Sequence, residues 1–153
     1  MLIKVLDELI LVDYIYRVGK IHCSNECEDY GNKFIGYKFS LTIYFLNKKE
    51  FSFSISTRFM KEAFEIEKKV EKEMNDFIKG DPKHEWEYNY LEKEKAKELK
   101  MLYHEPLKNE INKHFENLIS FLSDSIQECH KSNNSLIKGY DFPNNYNFLI
   151  NYS

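Results

Sequence analysis

The sequence predicts an α+β fold, an antiparallel meander of three to four strands with one face covered by amphipathic helices. Three observations carry this. Every odd position from Ile35 to Phe45 is large and apolar, the same alternation resumes after Asn47-Lys48-Lys49, and helical apolar stripes run through the second half. With 153 residues, 42% of them hydrophobic and 16% aromatic, the chain is rich enough in apolar groups to close a core, and a single domain over 1–153 is expected.

Taken in order, residues 2–10 come first. Leu2, Ile3, Leu6, Leu9 and Ile10 have helical spacing, which favours a short helix over the alternative of an extended strand. A first strand is expected at about 12–21, with Tyr14, Tyr16 and Val18 alternating against Asp13 and Arg17. The polar run from Cys23 to Asn32 reads as a loop. The second strand, at about 34–46, carries Ile35, Tyr37, Phe39, Leu41, Ile43 and Phe45 inward. The third, at about 50–57, carries Phe51, Phe53 and Ile55 inward. Ser40, Thr42, Ser52, Ser54 and Ser56 then form an open outer face.

Three helices should follow. The first, at about 58–79, has Thr57 as N-cap and a stripe of Phe59, Ala63, Ile66, Val70, Met74 and Phe77, ending at Gly80. Asp81-Pro82 starts the second, at about 82–104, whose Glu92–Glu98 stretch of mixed charge reads as solvated. Pro106 breaks the pattern, since it has no N–H for the helical ladder. The third, at about 107–131, shows Leu107, Ile111, Phe115, Leu118, Leu122, Ile126 and Cys129 on one stripe and stops at Ser132-Asn133-Asn134. The aromatic tail from Leu136 either adds an edge strand at Phe148-Leu149-Ile150 or lies along the core.

Composition excludes several function classes. A net charge of -3 gives no global attraction for nucleic acid or anionic membrane. Arg17 and Arg58 are the only arginines, so bidentate recognition of phosphate or guanine is nearly unavailable. No apolar run approaches the roughly 20 residues of a bilayer span, and acidic residues interrupt the N-terminal apolar stretch where a signal peptide would continue. Three cysteines make a disulfide framework improbable, so the reducing cytoplasm is the expected compartment. The preference for Lys, Asn, Ile, Phe and Tyr over Ala and Arg points to an AT-rich genome.

The chemistry-bearing clusters are few. His22-Cys23 with Cys27, and Cys129 with His130, could supply soft ligands for tetrahedral zinc. Cys129 also fits an apolar helical stripe, and the bland reading is preferred: no metal and no cofactor. Glu110 and His114 stand four apart on one helical face, without the paired histidines of a helical zinc motif. There is no Gly-x-Ser-x-Gly elbow, and the five glycines form no phosphate loop. The expectation is a protein without catalysis. The order helix, three strands, helix over 2–79 is also that of double-stranded RNA-binding domains. Arg58 and Lys61 are followed by Glu62, Glu65 and Glu67, however, where those domains place a basic cluster.

What remains is an aromatic surplus. Trp86, Tyr88 and Tyr90 crowd the start of a helix and cannot share one face; Tyr140 and Tyr146 stand in the Asn-rich tail. Aromatics with polar tips favour interfaces. These five residues are the candidate partner-binding set of a small protein-binding factor that acts by steric occlusion. Its profile is that of an inhibitor, anti-defence or immunity protein of a phage or mobile element. A nucleic-acid-binding module on the three-stranded sheet is the second reading, and a zinc-stabilised domain or small metal-dependent enzyme the third. A homodimer through the second or third helix is compatible with the stripes.

Overall fold

The computed structural model of the protein describes residues 1–28, 30–31, 33–78, 85–129 and 137–153, with the side chains of 78 and 85–90 outside that description. The fold is α+β. Its elements are β1 (Leu2–Val5), β2 (Glu8–Leu11), β3 (Ile15–Val18), β4 (His22–Glu28), β5 (Lys33–Phe45), β6 (Glu50–Ser56), α1 (Lys61–Ile78), α2 (Glu85–Cys129), β7 (Lys138–Tyr140) and β8 (Leu149–Tyr152). The proposed helix boundaries at Gly80, Asp81-Pro82 and Ser132-Asn133-Asn134 lie outside the described residues.

The chain divides into two compact units. Unit 1 comprises Met1–His22, Phe39–Ile55 and Ile111–Ser153; unit 2 comprises Cys23–Lys38 and Ser56–Glu110. The five-stranded sheet runs β3-β5-β6-β8, with β4 also paired to β5, and a separate three-stranded sheet runs β2-β1-β7. The expected meander is therefore only part of the strand inventory.

In unit 1, residues 2–10 form an antiparallel hairpin rather than a helix. Ile3 pairs with Ile10 and Val5 with Glu8, and Ile3, Val5 and Ile10 are buried. Leu6 and Asp7 both have positive φ, at 51° and 64°, which a two-residue type I′ turn demands. β1 also pairs in parallel with β7, with Ile3 opposite Lys138. The strand expected at 12–21 shortens to β3, because Val12–Tyr14 is a single 3-10 turn. Tyr14 and Tyr16 are exposed rather than inward.

The core of unit 1 is aromatic. Phe115 on α2 lies 5.9 Å from Phe39, 5.8 Å from Phe53, 5.7 Å from Phe142 and 6.1 Å from Phe148, measured between ring centroids. The tail is docked by these contacts, and β8 forms the edge strand on β6, with Phe53 opposite Ile150.

In unit 2, the run read as a polar loop contains β4, whose side chains are mostly exposed. Along β5 the alternation slips: Phe34 and Tyr37 are both buried, and the register beyond continues through Phe39, Leu41 and Ile43. Gly36 sits at the slip with φ 155°. A Cβ there would lie 2.5 Å from the Thr57 hydroxyl oxygen. That hydroxyl accepts the Tyr37 N–H at 2.9 Å. Thr57 therefore belongs to a 3-10 turn, Thr57–Phe59, and α1 begins at Lys61. The expected N-cap is used on a strand instead.

The helices expected on either side of Pro106 are one continuous α2 with Pro106 inside it. An interior proline costs about 3 kcal/mol. Leu99 and Leu107 are buried on the two sides of it, and each contributes about 1.5–3 kcal/mol, so packing outweighs the break. The Glu92–Glu98 stretch is not wholly solvated either: Ala96 joins Val70, Met74 and Leu99 in an α1–α2 core with Ile66 and Tyr103. Phe59 and Phe77, placed on the expected stripe, are exposed.

Gly36→Ala is expected to destabilise the protein by about 1–3 kcal/mol, read as a lower urea midpoint. Gly139→Ala is the neutral control, since its Cβ would meet nothing nearer than 3.7 Å. An unchanged midpoint for Gly36→Ala would remove the strain argument. Replacing Leu6-Asp7 by Asn-Gly, which suits two positive φ angles, should raise stability by about 1 kcal/mol in the same assay.

Candidate functional site

The residues singled out for zinc are divided between the two units. Cys23 and Cys27 lie on one face of β4 four residues apart, hence about 13 Å along the strand. Two sulfurs on one zinc sit within roughly 4–5 Å of each other. In unit 1 the Cys129 thiol donates to the Asp13 carboxylate, an interaction that together with burial raises its pKa. His130 lies outside the described residues. Among the described residues no three His, Cys, Asp or Glu side chains gather as a metal site.

The aromatic candidates separate as well. Trp86, Tyr88 and Tyr90 are on the first turns of α2, with side chains outside the described residues. Tyr146 is buried in unit 1, its ring 5.5 Å from that of His114. Tyr140 donates its hydroxyl to the His114 carbonyl at 2.9 Å. Both tyrosines are thus engaged in docking the tail, and His114 is part of the same contact.

The side chains that do stand in solvent lie elsewhere. In unit 2, α1 and α2 leave between them a hollow of about 420 Å³. Its floor is apolar: Ile66, Leu102, Tyr103, Pro106 and Leu107. Glu62, Glu65 and Glu110 line it with carboxylates. Lys69 is the cation among its lining residues, and its ammonium sits 4.0 Å from the centre of the Tyr103 ring. Leu102 is 64% exposed, a costly position for a leucine without a partner. Tyr103 is held in place by donating its hydroxyl to Glu73, and the Lys100–Glu67 ion pair at 3.0 Å joins the same two helices.

In unit 1 a second hollow, also about 420 Å³, is lined by Tyr16, Tyr44, Leu46, Lys48 and Lys49 among others. The Arg17 guanidinium lies 4.3 Å over the Tyr44 ring, a cation–π contact that ties the two strands at its edge.

One buried group in unit 2 stands apart from both hollows. His104 is 1% exposed. Its Nδ1 lies 2.7 Å from the Lys100 carbonyl, so that nitrogen carries the proton and donates. Nε2 then presents a lone pair with no hydrogen-bond partner among the described residues, edge-on to Phe34 and Tyr37. Burial pushes the His104 pKa below its ordinary value, against the opposing pull of the Lys100 carbonyl and Glu67.

Compared with protein-family models, curated proteins and solved structures, the chain matches none.

The sequence pattern could not find the α1–α2 hollow. Its carboxylates are ordinary helix-surface residues when read singly, and its two walls are about forty residues apart. The one available signal was Leu102, an apolar residue just before a helical proline.

A base with a depressed native pKa binds fewer protons when folded than when unfolded. Stability should therefore rise with pH through the window below about 6.5 and be lost on acidification. His104→Phe, which removes the orphaned nitrogen and keeps a ring, should flatten the dependence of the urea midpoint on pH between about 6.5 and 5.5. Equal slopes for the two proteins would show that His104 does not carry the effect.

Proposed function

We propose that the protein is a non-catalytic protein-binding factor that acts by occluding the surface of its partner. The observation that carries this reading is the α1–α2 hollow of unit 2, with an exposed leucine on its floor. Apolar side chains held in solvent around a groove mark recognition sites more often than scattered exposed residues do. Phe59 and Phe64 of the same unit are exposed as well. Trp86, Tyr88 and Tyr90, on the first turns of α2, stay candidates for partner binding, whereas Tyr140 and Tyr146 contribute by fixing the tail. No helix among the described residues is long and apolar enough to cross a membrane, which fits a partner met outside the bilayer. An inhibitor, anti-defence or immunity role in a phage or mobile element of an AT-rich bacterium is the setting we favour, with the cytoplasm as its compartment.

The second reading is a single-stranded nucleic-acid module. Tyr16 and Tyr44 beside Lys48 and Lys49 combine stacking faces with cations, the pairing such modules use. The neutral balance of unit 1, eight Lys and Arg against eight Asp and Glu, weighs against a strong phosphate affinity.

Native mass spectrometry of the protein from its host separates the two. The expected spectrum shows a protein adduct of fixed stoichiometry that Leu102→Asp removes. That variant should keep its fold within about 0.5 kcal/mol, because the replaced side chain is exposed. An oligonucleotide adduct lost on Tyr16→Ala would establish the second reading instead.

A further inference from the structure

We propose that the α1–α2 groove of unit 2 receives a cationic amphipathic helix of a partner protein. This rests on the protein-binding reading and adds the chemistry of the partner. Charge is the first argument. Unit 2 contains fourteen Lys and Arg against seventeen Asp and Glu, so it accounts for the whole net charge of -3. At the groove Glu65 and Glu110 are exposed carboxylates, and the cation among its lining residues, Lys69, is already placed over Tyr103. A partner bearing Lys or Arg along the margins of an apolar stripe meets both the floor and the carboxylates, while an acidic one is repelled.

Shape supplies the second. Two helices packed side by side accept the ridges of another helix along the seam between them, and helix-in-groove recognition anchors apolar residues at i, i+3, i+4 and i+7. The hollow admits a few such anchors.

The test uses the whole protein and two fluorescein-labelled synthetic helices, each about five turns long. One alternates Leu with Lys in an amphipathic pattern; the other carries Glu in place of Lys. In fluorescence anisotropy the Leu/Lys helix should bind and the Leu/Glu helix should not. Glu65→Lys with Glu110→Lys should weaken binding about tenfold or more, Glu65→Gln with Glu110→Gln less, and Leu102→Asp severely. Both glutamates are exposed, and circular dichroism verifies that each variant keeps its fold. Absence of binding by the Leu/Lys helix, equal binding of the Leu/Glu helix, or indifference to charge reversal would overturn the proposal. The host-partner adduct, measured on the charge-reversed protein, distinguishes the two levels. An adduct that survives charge reversal but not Leu102→Asp leaves the protein-binding reading standing and removes the cationic helix.

Discussion

The hydrogen bond from the Tyr37 amide to the Thr57 hydroxyl, with glycine at position 36 beside it, sets the phase of the longest strand. A strand shifted by one residue turns every side chain to the opposite face. Here the slip at Gly36 lets Phe34 and Tyr37 point inward in unit 2, where they meet His104. It also lets Phe39, Leu41 and Ile43 serve the core of unit 1. The same threonine ends β6 and delays α1 to Lys61. One hydroxyl thus coordinates a strand, a turn and a helix start, and a larger residue at 36 would collide with it.

The two units solve the problem of burial differently. Unit 1 relies on rings from four segments around Phe115, and paired aromatics add about 0.5–1.5 kcal/mol beyond the area they bury. Unit 2 has a thinner apolar core between α1 and α2, supported at its margins by Tyr103 with Glu73 and Lys100 with Glu67. A helix pair with a narrow core leaves part of its seam uncovered, and that uncovered seam is the groove.

How much of this was legible in the sequence follows from how local each determinant is. The β5 and β6 hairpin is readable because its period of two persists over many residues, and the stripe from Leu107 to Leu122 is readable for the corresponding helical reason. The hairpin at residues 2–11 is not, because the first turn position is Leu6, a residue that rarely adopts positive φ, with only Asp7 suited to it. β4 is hidden because HCSNECE is polar on both faces and takes its order from pairing with β5. The continuity of α2 is hidden because Pro106 is a strong local break that buried leucines on both sides override. The candidate site was the least legible. The aromatic surplus drew attention to Tyr140 and Tyr146, which the tail needs for its own docking, while the groove depends on the distance between α1 and α2.

The parallel pairing of β1 with β7 has a consequence during translation. Residues 2–5 pair at once with β2 but wait for residues 138–140 before the parallel ladder exists, and β6 waits for 149–152 to gain its second neighbour. The segments of unit 2 end at Glu110. On the ribosome, its segments are all available while the last strands of the aromatic unit are still unmade. The groove can therefore be assembled first, and a nascent chain can present it before the remainder of the molecule has closed.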